Sequence, residues 1–334
     1  MVKAFAYKNT MESLLNSSSG GAFWGIAEAF YKMGGGGYCY GAKFDSNFNV
    51  IHTYATSLSE CAAFQGSKYV WSDISGCFND VEKQLNEGSR VLFTGTPCQI
   101  AALRQFLGKK EANEKLLYTV DIVCHGTPNP AVWRKYVKHL EERYNSKLIG
   151  FSFRYKPYGW KGYPIYARFE NGKELINKIE VSSYQNMFRK NILMRESCFK
   201  CPYSGCFQSD LTISDFWGVE LCMPDIETKG GVSLIQAHTD EGDKILGFMR
   251  EKPGVTLVAV PNEEYLKYNH NLMSPTQKPD LYDKFWMDYK NEGLEYVLKK
   301  YGDERFIGRV KFYGKDVLRR SGLADLMKRI MGRA

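Results

Sequence analysis

The sequence predicts an α/β protein with a mainly parallel sheet and flanking helices, a smaller N-terminal α/β segment and a helical C-terminal tail. Three observations predict it. Between residues 90 and 144, strand-like and helix-like runs alternate in the order RVLFTG, QIAALRQFLG, LLYTVDIVCHG, AVWRKYVKHLEERY. Alternation of this kind builds parallel strands joined by right-handed helical crossovers. Upstream, one apolar helix-periodic run precedes two β-type runs around a turn. Downstream, the last thirty residues carry basic groups among apolar ones at helical spacing.

Taken in order, the polar stretch Asn16–Gly21 leads into AFWGIAEAFYKM, which ends at Gly34–Gly37, so a helix over 22–33 has both ends marked. YCYGAKF and VIHTYA read as strands with DSNFN as the turn between them, a hairpin. The strand-helix-strand-helix unit follows from about Ser89. LIGFSFRYK and YPIYARFE read as further strands divided by the Pro-Tyr-Gly-Trp loop at 157–160. A cysteine-dense loop over 198–222 and a last strand, SLIQAHT, complete the pattern. The segments are therefore 1–88, 89–260 and a basic helical tail, 261–334.

With 334 residues, 44% of them hydrophobic and 25% charged, the chain can bury one large core or two smaller ones. No run approaches the ~20 apolar residues of a membrane-spanning helix, and the start lacks the layout of a secretory signal, so a cytoplasmic protein is expected. The net charge of +8 is concentrated at the end: from Arg305 onward nine Lys or Arg stand against Asp316 and Asp325. No earlier basic stripe with stacking aromatics exists, which argues against nucleic acid as a partner.

Nine unevenly spaced cysteines in a chain of this length fit metal ligation or catalysis better than a disulfide framework. Cys198-Phe-Lys-Cys201-Pro has the short C-x2-C spacing of metal and iron-sulfur sites, and Cys206 follows closely. Cys98 and Cys124 each fall just past the carboxyl end of a predicted strand. Open α/β sheets bind ligands at that edge, so the two can complete a four-cysteine site with Cys198 and Cys201. A zinc knuckle and buried core thiols are the alternatives. Cys124 and His125 are neighbours, which also admits thiol or acyl-transfer chemistry.

Ser17-Ser18-Ser19-Gly20-Gly21 before an apolar helix is suited to cradle an anion, since glycines allow close backbone approach and the helix start offers free amides. Plain N-capping by serine explains the same residues. Lys68, beside Ser67, can pair with a phosphate or stabilise an anionic reduced flavin. Arg154 and Lys156, alternating on one predicted strand face, extend a positive lining or form a solvated face. Asp210 and Asp215 orient ligands or bind a ribose hydroxyl, or else are turn residues.

In order, SSSGGAF, GSKYV, VLFTGTPCQIAAL, DIVCHGTPNPAVWRKY, FSFRYK, CFKCPYS, SDLTISDFWGV and KGGVSLI resemble the beta-subunit family of coenzyme F-420 (deazaflavin) hydrogenases and dehydrogenases, over about Ser13 to Met249. The resemblance implies an FAD-binding oxidoreductase with a 4Fe-4S cluster that moves electrons between a hydride carrier or small-molecule substrate and iron-sulfur centres. It implies cluster ligation by Cys98, Cys124, Cys198 and Cys201, and flavin contacts from Ser18, Ser19, Gly20, Gly21, Ser67, Lys68, Thr94, Thr96, Gln99, His125, Arg154 and Lys156. Lys68 and His125 are the candidate catalytic groups. Bacterial relatives in surface-polysaccharide gene neighbourhoods suggest a role there.

The sequence departs from the family's pattern twice. Family members often begin with a ferredoxin-like module, whereas this sequence starts almost at SSSGG, so a ferredoxin-like or other redox partner is expected to exchange electrons with this chain. Where the family has an arginine before Ser-Asp, this chain has Cys206-Phe-Gln, which makes Cys206 an alternative ligand. A zinc-stabilised scaffold and a transferase using Cys124 and His125 remain the other functional classes. In the tail, Leu323, Leu326, Met327, Ile330 and Met331 share one helix face that suits peripheral membrane contact, a partner subunit, or packing on its own domain.

Overall fold

A computed structural model describes residues 3–108, 115–156, 160 and 164–320. They divide into two compact units, residues 1–125 with 200–275 and residues 126–199 with 276–334. These units do not follow the segments 1–88, 89–260 and 261–334. The boundary expected near Ser89 falls inside a sheet that hydrogen-bonds strands from both sides of it.

The first unit holds an eight-stranded sheet. Its strands are β1 (Lys3–Lys8), β2 (Tyr38–Phe44), β3 (Val50–Ala55), β4 (Val91–Gly95), β5 (Leu117–Ile122), β9 (Leu211–Asp215), β10 (Ser233–Ala237) and β11 (Thr256–Ala259). They lie in the order β11-β1-β10-β9-β5-β4-β2-β3. β2, β4, β5 and β9 form a parallel block. β3 pairs antiparallel with β2, the expected hairpin, while β10, β1 and β11 add antiparallel strands on the other side.

Helices cover both faces because successive strand residues point to opposite sides. Tyr118 and Val120 of β5 face α2 (Ala22–Lys32) and α8 (Asp240–Arg250), in a core with Ile26, Phe30, Ile235 and Ile245. Leu117 of β5 faces the other way, with Val91 and Phe93 of β4, toward α3 (Cys77–Asn86) and α4 (Pro97–Leu107) through Val81, Ile100 and Leu103. Each fully buried side chain of this size contributes roughly 1.5–3 kcal/mol. The unit also contains the short helices α1 (Met11–Leu14) and α7 (Val219–Cys222).

The second unit pairs a three-stranded antiparallel sheet, β6 (Leu148–Ser152), β7 (Tyr166–Phe169) and β8 (Glu174–Ile176), with α5 (Pro130–Tyr144), α6 (Ile179–Arg189), α9 (Tyr282–Tyr301) and α10 (Phe306–Arg320). An aromatic core of Trp133, Phe153 and Tyr184 joins α5 and α6 to the residues after β6. β6 ends at Ser152, so Arg154 and Lys156 do not alternate on a strand as expected. The chain bends at Phe153, whose ring turns into that core. The loop at 157–160 lies, apart from Trp160, outside the described residues, as do Leu323, Leu326, Met327, Ile330 and Met331. Among the described residues no helix is long and apolar enough to cross a membrane.

Candidate functional site

The parallel block gathers its strand ends on one edge of the first unit. β4 ends at Gly95 and β5 at Ile122, in direct parallel register at Gly95 and Asp121. Cys98 therefore follows one strand end and Cys124 the next, joined by the α4 crossover, as expected from topology. β5 stops four residues before the predicted Gly126 end, which places Cys124 and His125 in the loop past it rather than on an extended strand. Cys98 is the second residue of α4, behind Pro97, in a helix start closed by a Thr96–Gln99 capping box. Its thiol therefore stands in the first turn of the helix. The Thr96 hydroxyl lies 3.2 Å from its sulfur.

A buried polar network supports this turn. Gln99 accepts from the Thr96 amide through Oε1 at 2.9 Å and donates through Nε2 to Ser72 Oγ at 3.0 Å. Ser72 Oγ also meets His52 Nδ1 at 3.0 Å, and His52 Nε2 reaches the Thr94 carbonyl at 2.7 Å. A carbonyl only accepts, so Nε2 carries the proton and Nδ1 accepts from Ser72. The imidazole stacks on Phe93, and burial pushes its pKa down to about 4, so it is neutral. Thr94 donates its hydroxyl to the Tyr40 carbonyl at 2.7 Å. Thr94, Thr96 and Gln99, three expected flavin contacts, thus all have side chains engaged in the frame of the edge.

The serine-glycine loop reaches the same edge. β1 runs antiparallel to β10 and β10 antiparallel to β9, so Lys8 at the end of β1 lies on the side where β9 and β5 end. Gly20 packs flush on that corner: a Cβ there would overlap the Tyr7 carbonyl oxygen and the Ser233 amide. Gly21 caps α2 with φ +79°, a left-handed conformation suited to glycine. Ser18 Oγ accepts from the Ser67 amide at 2.7 Å and meets Ser67 Oγ at 3.0 Å, and Ser19 donates to the Val232 carbonyl. The two expected phosphate-binding stretches are therefore one joined loop pair.

Lys68 turns back onto its own loop, donating to the carbonyls of Ala63, Phe64, Gln65 and Gly66 at 2.9–3.3 Å. Burial pushes its pKa down to about 7, while those four oxygens favour the charged form.

Of the nine cysteines, Cys39, Cys61 and Cys77 are core thiols. Cys98, Cys124, Cys198 and Cys201 are half-buried, as is Cys222, and Cys206 is exposed with its sulfur 3.7 Å from Gln208 Nε2. The compact units divide the C-x2-C pair: Cys198 falls in residues 126–199 of the second unit, and Cys201 in residues 200–275 of the first. In the second unit, Cys198 packs on Gly126 and Thr127, residues that directly follow Cys124-His125 in the chain. A Cβ on Gly126, at φ +120°, would lie 3.3 Å from Cys198 Cβ and 2.8 Å from Met194 Sδ. Thr127 Oγ1 is 3.9 Å from the Cys198 sulfur. Among the described residues no three His, Cys, Asp or Glu side chains converge as a preformed metal site.

Burial holds the His125 pKa below its usual value. Arg154 is a buried cation of the second unit and Lys156 is half-buried. Asp210 is 3% exposed and tied into the fold. Its carboxylate accepts from Thr119 N and Oγ1 at 2.6 and 2.7 Å and from the Thr239 hydroxyl at 2.7 Å, tying β5 to the start of α8. Asp215 is half-buried at the end of β9.

Three groups are not among the expected site residues, Asp121 and His52 beside the edge and His238 at the amino end of β9. Asp121 is 2% exposed, Oδ1 has no hydrogen-bond partner, and burial raises its pKa to about 6 against the bonds from Thr212 and Ser209. The signal was legible, a lone acid inside LLYTVDIV. His238 Nε2 lies 2.9 Å from Thr212 Oγ1, with its ring stacked on Phe207 of the cysteine loop. His52 is hidden in a strand of ordinary β composition, and nothing in the sequence marks it.

The residues present fit the two groups that the sequence implies. Half-accessible thiols, one of them at a helix start, are a donor set for iron. The start of α2, beside the joined Ser18 and Ser67 loops, suits an anionic group.

The profile for the C-terminal part of the family described as "Coenzyme F420 hydrogenase/dehydrogenase, beta subunit" matches residues 88–263. No curated protein matches the chain in sequence. Among solved structures, a chain of the F420-reducing [NiFe] hydrogenase complex from Methanosarcina barkeri, studied by xenon derivatization, shares the fold. Its TM-score is 0.52 at 14% identity, over 94% of this chain and 90% of that one. With more than half of its length matched by the profile, the chain belongs to the coenzyme F420 hydrogenase/dehydrogenase beta-subunit family.

Proposed function

We propose that this protein is an FAD-dependent iron-sulfur oxidoreductase, passing electrons between a hydride-carrying or small-molecule substrate and a ferredoxin-like or other redox partner protein. The observation that carries the reading is the carboxyl edge of the first unit. Cys98 and Cys124 follow adjacent parallel strands there, and the Ser17–Gly21 and Ser67 loops meet at the same edge. Family membership supports the redox class, and the hydrogenase complex that contains the structural neighbour supports a partner protein.

In this reading Cys98, Cys124, Cys198 and Cys201 hold a 4Fe-4S cluster. Ser18, Ser19, Gly20, Gly21 and Ser67 hold the flavin's phosphates and ribityl chain through backbone amides and hydroxyls. FAD, when bound, supplies the exchange between two-electron hydride chemistry and single-electron transfer. Lys68, protonated below about pH 7, places a positive charge on the loop it closes and so favours an anionic ligand. His125, neutral through burial, is able to give or take a proton next to Cys124. Arg154 and Lys156 add cationic contacts.

Replacement of Cys198 or Cys201 by Ser tests the reading. Iron and acid-labile sulfide are expected to fall while FAD stays bound. Unchanged iron in both variants would show that the ligand set is wrong.

A further inference from the structure

Helix α10 divides along its length into three strips. One strip faces its own unit. Arg309 donates to Glu180 at 2.9 Å and to the Glu304 carbonyl at 2.8 Å, Asp316 accepts from Asn177 at 2.6 Å, and the Tyr313 hydroxyl accepts from the Ile179 amide at 3.4 Å. At about 100° per residue, Phe306, Ile307, Val310, Gly314 and Val317 share a second strip roughly 100° wide. That strip is open: Phe306 is 80% exposed, Ile307 67%, Val310 57% and Val317 66%, and no atom lies within 4 Å of where a Gly314 Cβ would stand. Lys311 and Lys315 are exposed on the adjoining strip, on the side away from the unit.

An exposed apolar row of this extent is rare in a monomer and marks an interaction surface. Its chemistry selects the partner. The apolar groups are aliphatic or phenyl and carry no hydrogen-bonding atom, so they ask for burial without directional contacts. The cations run along one border, and the single acid of the helix, Asp316, is turned inward to Asn177. A shallow apolar layer bordered by anions satisfies both. The sequence beyond Arg320 repeats the combination with Leu323, Leu326, Met327, Ile330 and Met331 among Lys328, Arg329 and Arg333.

We propose that α10 docks flat on an anionic lipid surface, its Phe306–Val317 row at the headgroup-acyl boundary and Lys311 and Lys315 against lipid phosphates. The unit would thereby be held at the membrane face without crossing it. The proposal is independent of the redox reading and needs no bound cofactor.

Vesicle co-sedimentation of the full chain tests it, with phosphatidylcholine vesicles and with mixed phosphatidylcholine–phosphatidylglycerol vesicles. The wild type is expected to bind the mixed vesicles at least roughly tenfold more tightly than the neutral ones. Phe306→Ser with Val310→Ser, and separately Lys311→Glu with Lys315→Glu, should each weaken that binding about tenfold or more. All four side chains are solvent-exposed, and circular dichroism confirms that each variant is folded. Absence of wild-type binding to the mixed vesicles, or binding unchanged in either variant, overturns the proposal. So does self-association of the wild type that Phe306→Ser with Val310→Ser abolishes, because the row would then be a protein interface.

Discussion

Replacing Asp121 by Asn isolates the electrostatic burden of the edge. The Asp121 carboxyl is almost fully buried with Oδ1 unpartnered, and its pKa is raised from 3.8 to about 6. A raised pKa in an acid means that the folded state binds the proton more tightly than the unfolded chain. The group's stabilising contribution is therefore complete below the unfolded value of 3.8 and is lost as pH rises through about 6. The full difference is about 3 kcal/mol at 1.36 kcal/mol per pKa unit, of which about 2 kcal/mol falls between pH ~4.5 and pH ~7.5. Asn keeps an oxygen for Thr212 and Ser209 but does not titrate. Its own packing and hydrogen-bond change is a constant offset of about 1–3 kcal/mol. The expected result is pH-specific: relative to wild type, the variant gains about 2 kcal/mol on going from pH ~4.5 to pH ~7.5. Urea unfolding of the apoprotein at both pH values, read on the transition of the first unit, measures it. A stability difference between variant and wild type that does not change with pH would refute the assignment of a protonated, desolvated carboxyl to this position.

Other perturbations test neighbouring parts of the account. Gly20→Ala would drive a methyl group into the backbone of β1 and β10, so a loss of more than about 3 kcal/mol is expected, with a thermal transition lowered by several degrees; a neutral substitution would contradict the close packing of that loop. His52 is held neutral with its pKa lowered to about 4, so its contribution is full above its usual 6.5 and falls by about 3 kcal/mol as pH drops from there to 4. His52→Gln should flatten that acid limb of the stability profile while weakening the protein by roughly 1–2 kcal/mol at neutral pH. Lys68→Met removes the donor shared by four carbonyls, and FAD affinity, measured by fluorescence quenching, should fall about tenfold or more if the cation serves the flavin loop. FAD affinity equal to wild type would confine Lys68 to loop closure.

The sequence made the alternating part of the fold legible because period and punctuation agreed there. α2, the β2–β3 hairpin, β4, α4, β5 and α5 fall within a few residues of their predicted places. Cys98 and Cys124 could be put on one edge because parallel strands joined by one helix leave no other arrangement. The missed pieces rest on contacts distant in sequence. β1 and β11 are short strands whose place is set by pairing with β10 and with each other, more than two hundred residues apart. Arg154 and Lys156 looked like strand residues, but β6 ends at Ser152 and the chain bends at Phe153 and Arg154. For Asp210 the sequence leaves a ligand-orienting acid and a turn residue equally open, whereas three donors from Thr119 and Thr239 hold it inside. The division of the chain into units could not be read from composition, because residues 200–275 return to the first sheet after a whole unit has intervened.

The central claim is that this family member carries FAD and a cysteine-ligated iron-sulfur cluster. Anaerobic purification followed by quantification of flavin, iron, acid-labile sulfide and zinc, with an absorption spectrum before and after dithionite, tests it most directly. The account predicts bound FAD together with iron and sulfide in equal amounts, and a broad visible absorbance that bleaches on reduction. A colourless protein that holds zinc and no flavin would contradict it.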